Sequence, residues 1–253
     1  MRSLLNQTNQ NFTLWISWRK EERDNPIVKE FYSYLLAKLP NRVIFTYNGI
    51  IFWDDKFPND NLLERLTNTL PELVKICQYK QWVYLTIQPS DDCFYSGMVA
   101  DIQRFEPSFK SAIGYQKGYI CDLQTKKMAE YNPTTNPPFY TIAFPKDIFL
   151  NPVKHFNYIG PYKSHEYIPK VLRYKKIDKR GFCVGVHGGN ISTVWNHPFK
   201  GKEVDELDKF GIKDSALIKP RRSASLTARR ILNVLPFNNT IRKLYHKLYD
   251  IIK

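Results

Sequence analysis

Hydrophobic and polar positions along the first 90 residues predict strands that alternate with helices. Strands are predicted at 12–17, 42–47 and 82–87, where β-branched, aromatic and leucine residues cluster. Apolar residues recur at helical spacing after Asn25 and again after Asn59, which predicts two amphipathic helices between these strands. The order strand, helix, strand, helix, strand favours a parallel sheet that is covered by helices.

The second part of the chain has a different pattern. A short helix is predicted at 97–105, an antiparallel hairpin at 112–123 with its turn at 116–118, and strands at 139–144 and 182–186. Such a loop-rich and hairpin-rich part is typical of a substrate-binding half. The expected fold class is therefore α/β, with a mainly parallel central sheet covered by helices and a mixed second half.

The two ends of the chain differ from the middle. Residues 1–11 are polar and are expected to lack regular structure. We divide the rest into a domain at 1–215 and a basic helical extension at 216–253, whose last helix is apolar on one side and basic on the other. A helix of this kind lies on anionic lipid, binds a partner's groove or packs on its own domain, and the pattern leaves these alternatives open.

The charge balance narrows the choice of partners. The chain carries 38 Lys and Arg against 24 Asp and Glu, and the net charge of +14 favours nucleotides, nucleic acid or an anionic membrane surface. Its four cysteines form no CxxC pair, which is typical of a reducing compartment and predicts neither a zinc site nor a disulfide framework. We expect a cytoplasmic protein, with peripheral membrane contact through the basic C-terminal helix.

Two adjacent carboxylates follow the strand predicted at 82–87. The strand ends before Pro89, and Asp91 and Asp92 come just after it. In open α/β sheets, ligands bind at the carboxyl ends of the strands. Because neighbouring carboxylates repel each other unless a cation lies between them, Asp91 and Asp92 are candidate ligands of Mn²⁺ or Mg²⁺. The alternative is a solvated turn.

A second candidate follows the strand predicted at 182–186. The next four residues are His187-Gly-Gly-Asn190, in which the glycines let the backbone approach a ligand closely and the histidine offers an imidazole nitrogen. His187 is a candidate to complete the same metal site, with diphosphate oxygens as further ligands. The alternative is an ordinary turn.

Other nucleotide-binding and catalytic motifs are absent from the sequence. There is no GxGxxG after the first strand, no P-loop, and no GxSxG, HExxH or protein-kinase set. Glu166 lies near the start of a predicted helix, where it is either a general base or part of a helix cap with Ser164.

The order of several segments identifies a family that the chain resembles. They are Thr86–Asp92, Gly118-Tyr119, Asn136–Thr141, Ser164–Glu166 and Val186–Ser192. In this order they resemble the rhamnosyltransferase-like group of glycosyltransferases with the GT-A fold. The resemblance covers roughly residues 12–200.

The resemblance implies a GT-A-like α/β fold, a nucleotide-sugar donor, a saccharide acceptor whose hydroxyl receives the sugar, and a divalent cation. The sugar implied by the family is rhamnose. In such an enzyme Glu166 would be the catalytic base, and Asp91, Asp92 and His187 would hold the metal. The donor-binding residues would be Asp91, Asp92, His187, Gly188, Gly189 and Asn190.

Two positions depart from the family's acidic motif, which resembles Thr-Arg-x-Asp-x-Asp-Asp. Ile87 replaces the arginine and Pro89 replaces the first aspartate, so one of the usual carboxylates is missing. These departures favour an alternative in which the chain kept the fold and lost the chemistry. Its basic surface would then bind nucleic acid, a membrane or an assembly partner, although no nucleic-acid-binding module is recognisable.

Overall fold

The computed structural model describes residues 2–49, 58–89, 91–123, 125–159, 165–187, 193 and 195–211. The strands are β1 (Leu14–Arg19), β2 (Val43–Gly49), β3 (Trp82–Thr86), β4 (Cys93–Phe94), β5 (Ser111–Asp122), β6 (Lys127–Tyr131), β7 (Tyr140–Pro145), β8 (Arg173–Val186) and β9 (Lys200–Val204). The helices are α1 (Arg2–Leu5), α2 (Pro26–Lys38), α3 (Pro58–Cys77), α4 (Met98–Gln103), α5 (Lys146–Phe149), α6 (Pro152–Ile159) and α7 (Ile168–Val171). Short 3₁₀ turns lie at Lys20–Glu22, His165–Tyr167 and Leu207–Phe210.

The strands form two sheets, and the fold is mixed α/β. β1 and β2 pair in parallel as a two-stranded sheet. The larger sheet has seven strands in the order β3-β7-β5-β6-β9, with β8 along the other edge of β5 and β4 paired to β8. In this larger sheet, as far as the structure describes it, β5 and β8 are the only parallel pair.

The prediction of a mainly parallel central sheet is therefore wrong. The first two predicted strands do pair in parallel across α2, but β3 pairs with β7, which runs in the opposite direction. The physical reason is that a short apolar strand has no local preference for one partner. The pairing of β3 is decided by a strand more than 50 residues later in the chain.

The predicted hairpin at 112–123 is also wrong, because this segment is one continuous strand. β5 pairs with β8 along its whole length, while β7 and then β6 occupy its other edge. The pairing with β8 shifts register on either side of Lys117, so Gln116 to Gly118 mark irregularities in a long strand and not a turn.

Helices cover both faces of the larger sheet. On one face, α3, α5, α6 and α7 pack on a cluster from β5 and β7. On the other face, α1 and α4 pack on a cluster that includes Tyr115, Phe139 and Phe182. The rings of Phe139 and Phe182 are stacked at 4.0 Å between centroids.

The small sheet packs against both hydrophobic clusters of the larger sheet. Trp15 of β1 packs against the same cluster as Val83 and Leu85 of β3. Leu14, the preceding residue of β1, packs against the opposite cluster together with Tyr84. Adjacent residues of β1 therefore pack in the clusters on opposite faces of the larger sheet, as those of β3 do.

The two ends of the chain give different outcomes. The expectation that residues 1–11 lack regular structure is wrong, because α1 is present and Leu4 and Gln7 are buried. The predicted basic extension at 216–253 lies outside the described residues, and the boundary at 215 lies outside them too. None of the helices in the described ranges is both long enough and apolar enough to cross a membrane.

Candidate functional site

Two of the predicted site segments follow strands that run in the same direction. β3 and β5 are both antiparallel to β7, and β8 is parallel to β5. The carboxyl ends of β3 and β8 therefore point in the same direction. They are not level, because β3 ends opposite the position of Ile113 of β5, whereas β8 ends beside Asp122, nine residues further along. The acidic pair, Asp91 and Asp92, follows β3, and His187 is the residue directly after β8.

The structure brings Asp91 and His187 together at the carboxyl end of β8. His187 Nε2 lies 3.5 Å from Asp91 Oδ2, and the two side chains are 44% and 33% exposed. The two groups form an ion pair when the imidazole is protonated. Because both side chains are accessible to solvent, a ligand can reach them. Their roles in binding a donor and a metal stay predictions.

Asp92 has a different environment from its neighbour. Only 7% of the residue is exposed, and its Oδ1 accepts a hydrogen bond of 3.1 Å from the Gly185 N–H of β8. Burial, and secondarily the charge of Asp91, raises the pKa of Asp92 to about 7, although the Gly185 hydrogen bond acts in the opposite direction. Asp92 therefore faces the protein interior and not the edge where Asp91 meets His187.

Gly185 and Gln88 are site residues that the sequence analysis missed. The Gln88 side-chain amide donates to the Asp92 carbonyl oxygen at 3.0 Å. A Cβ atom on Gly185 would lie 2.3 Å from the Asp91 carbonyl oxygen, so only glycine fits there. A glycine within an otherwise apolar strand, as at Phe182–Val186, is the signal that could have indicated this close approach.

Glu166 lies in a separate part of the chain. It is exposed in the 3₁₀ turn that precedes α7 and β8, whereas His187 follows the last residue of β8. Its neighbour His165 fixes this turn, because the His165 Nδ1–H donates to the Asn136 carbonyl and the Asn136 amide donates back at 2.9 Å. No contact in the described part of the structure joins Glu166 to the acidic pair.

The remaining predicted site residues cannot be placed. Gly188, Gly189 and Asn190 lie outside the described residues, as does Ser164.

Asp91 and His187 fit one mode of divalent-cation binding. Mg²⁺ is usually held by one or two protein ligands, with phosphate oxygens and waters completing the shell. A carboxylate beside an imidazole at a solvent-accessible edge provides such a partial set. Within the described ranges, no group of three or more His, Cys, Asp and Glu side chains is arranged to hold a metal ion, and the inward direction of Asp92 agrees with this.

Comparison with known proteins gives no family assignment. No protein-family model matches the chain, and no curated protein sequence matches it either.

Proposed function

We propose that this protein is a glycosyltransferase that moves a sugar from a nucleoside-diphosphate donor to a hydroxyl of a saccharide acceptor. The observation that carries the proposal is the 3.5 Å approach of His187 to Asp91 at the carboxyl end of β8. These two residues are 96 positions apart in the chain, and they meet beyond the end of a strand, where α/β sheets bind ligands.

The arrangement of the strands also supports a GT-A-like fold. β1 and β2 are parallel with α2 between them, and Leu14 and Trp15 of β1 pack in the same two clusters as β3. The acidic pair follows β3, and a mixed sheet follows the acidic pair. This order agrees with the resemblance to rhamnosyltransferase-like enzymes, for which the acceptor is a saccharide and the sugar is rhamnose.

In the proposed reaction, the acceptor hydroxyl attacks the anomeric carbon of the donor as the bond to the nucleoside diphosphate breaks. The hydroxyl proton passes to a carboxylate, for which the sequence offers Glu166; to act as this base, Glu166 would have to reach an acceptor bound beside Asp91 and His187, which it does not contact in the described structure. Asp91 and His187 would orient the diphosphate end of the donor through a bound cation, because a carboxylate by itself repels a diphosphate. A Mn²⁺ or Mg²⁺ ion held by these two residues would stabilise the negative charge on the departing diphosphate.

The first test is nucleotide binding with and without Mn²⁺. We expect a nucleoside diphosphate to bind more tightly with Mn²⁺, and we expect Asp91→Asn or His187→Ala to reduce this affinity about tenfold or more, since each removes a ligand. The matched control is Asp178→Asn, because the Asp178 side chain is 91% exposed and its partner is Lys117. Equal affinities for wild type and Asp91→Asn would contradict the proposal.

A second candidate function is a binding protein that has lost the chemistry. Pro89 cannot ligate a metal, and the inward Asp92 leaves the edge with one carboxylate from the acidic pair. Sugar transfer from a panel of nucleotide-sugar donors separates the two functions. An enzyme transfers sugar from one donor and loses this activity in Glu166→Gln, whereas a binding protein binds nucleotide and transfers none.

A further inference from the structure

We propose that Asp92 is a positioning residue that anchors the acidic pair to β8 and thereby holds Asp91 opposite His187. The anchor is the hydrogen bond from the Gly185 N–H to Asp92 Oδ1. The consequence for donor binding depends on the proposed function, whereas the anchor itself does not.

The backbone around Asp92 is held from several directions. The Asp92 N–H donates to the Pro89 carbonyl at 3.4 Å, and the Asp92 carbonyl accepts from the Gln88 side chain at 3.0 Å. The next residue, Cys93, pairs with Cys183 in the β4–β8 ladder. The side-chain hydrogen bond to Gly185 extends this attachment by two more residues toward the end of β8.

Gly185 helps to position Asp91 because it has no side chain. Because a Cβ atom there would lie 2.3 Å from the Asp91 carbonyl oxygen, the Asp91 backbone lies directly against the β8 backbone. His187 is two residues further along the chain, so the same short segment of β8 carries both the anchor point and the imidazole. The position of Asp91 relative to His187 is therefore set by its contact with Gly185 and by the anchor on the next residue.

This role differs from that of a metal or donor ligand. A ligand needs its carboxylate to point at the bound group, but the Asp92 side chain is directed at a backbone N–H and is almost completely buried. A positioning residue needs only a side chain of the right length that carries an oxygen able to accept the hydrogen bond. Asparagine supplies that oxygen and alanine does not.

The direct test is hydrogen exchange at the Gly185 amide, measured by NMR in the full-length protein. We expect Asp92→Ala to raise the exchange rate of this amide on the order of tenfold or more, since the buried N–H loses its acceptor. Asp92→Asn keeps most of the protection. Asp178→Asn, on the same strand, serves as the unchanged control. Equal protection of Gly185 in wild type and Asp92→Ala would overturn the anchor.

A second measurement separates positioning from ligation, using Mn²⁺-dependent binding of a nucleoside diphosphate. We expect Asp92→Asn to retain affinity within about tenfold of wild type, while Gly185→Ala, which leaves every carboxylate in place, loses more than that. The control is Gly201→Ala, where the nearest atom to the new Cβ atom would be the Glu130 Cβ at 3.1 Å, a looser contact than the 2.3 Å contact at Gly185. Loss of binding in Asp92→Asn with Gly185 still protected would overturn the proposal in favour of a ligand role.

The two measurements also distinguish a failure of the anchor proposal from a failure of the proposed function. If the wild-type protein binds no nucleoside diphosphate with Mn²⁺, the transferase proposal fails. The exchange rate of the Gly185 amide still decides whether Asp92 is the anchor. Asp92→Asn keeps this test informative even if Asp92→Ala does not fold.

Discussion

Adjacent residues of the same type can have opposite environments, as Asp91 and Asp92 do. The Asp91 side chain is one-third exposed and meets His187, whereas Asp92 is buried against Gly185. The sequence predicts that two carboxylates follow β3, but both carry the same functional group. Which of them faces inward depends on the Gly185 N–H of β8, which donates a hydrogen bond to Asp92. Gly185 comes about 90 positions later in the chain.

His155 is a buried titratable residue that lies away from the candidate site. It is 2% exposed, its ring centroid is 4.3 Å from that of Phe144, and its Nδ1–H donates to the Phe149 carbonyl at 3.2 Å. Burial lowers the pKa of His155 from 6.5 to about 4, although the hydrogen bond to Phe149 acts in the opposite direction. His155 is therefore neutral in the folded protein at pH 7.

We predict that His155 makes the protein less stable in acid. Between about pH 6.5 and pH 4 the unfolded chain binds a proton at His155 that the folded protein does not, so the free energy of unfolding falls as the pH falls. The expected loss is up to about 3 kcal/mol. Urea unfolding of wild type and His155→Gln at pH 7.5 and pH 4.5 measures it. A stability difference between the two proteins that does not change with pH would contradict the prediction.

At the scale of single elements, local patterns identify strands and helices better than they identify turns. α2 begins at Pro26 as predicted, and Asn25 Oδ1 accepts the Ile27 N–H at 3.0 Å as the helix cap. The cap is local, so four residues suffice to predict it. Gly118 is the contrasting case, because its turn-like neighbours predict a hairpin and the structure has an extended strand.

The reason for glycine at position 118 is close packing. Gly118 does not have a positive φ, because in the described ranges Gly211 is the only glycine that does. The left-handed region is therefore not the reason for glycine at 118. A Cβ atom on Gly118 would lie 2.4 Å from the Phe182 ring and 2.6 Å from the Phe182 carbonyl oxygen. Glycine at 118 therefore lets β5 and β8 approach each other.

We predict that Gly118→Ala destabilises the protein by about 1–3 kcal/mol, since the methyl group overpacks a site bounded by a ring and a carbonyl. Thermal unfolding measures the effect, with Gly201→Ala as a control of the same chemical change at a looser site. If Gly118 were a turn residue at the surface, the two variants would have similar melting temperatures.

At the scale of the whole molecule, residues 2–10 connect α1 to α4 and to the segment that precedes it through hydrogen bonds. The Gln7 amide donates to the Ser3 and Tyr95 carbonyls at 2.9 and 2.8 Å, and its Oε1 accepts the Val99 N–H at 3.0 Å. The Thr8 N–H donates to the Ser96 carbonyl at 2.7 Å. Residues 2–10 thus hold the start of α4 against the sheet.

We predict that Gln7→Ala lowers the free energy of unfolding by about 1–3 kcal/mol, because it leaves buried backbone groups without a partner. The control is Gln81→Ala, at an exposed glutamine that precedes β3. Urea unfolding of both variants tests this prediction. Similar midpoints for the two would mean that the hydrogen bonds of the Gln7 side chain contribute nothing to the stability of the fold.

The sequence by itself determined the features that depend on neighbours in the chain. These are most of the strands and helices, the cap at Asn25, and the presence of charged or imidazole side chains after two strands. Only the tertiary structure decided which strands pair, that residues 2–10 pack on α4, and that Asp92 turns inward while Asp91 meets His187. Propensity and periodicity act over a few residues, whereas strand partners and buried hydrogen bonds are chosen by contacts between segments far apart in the chain.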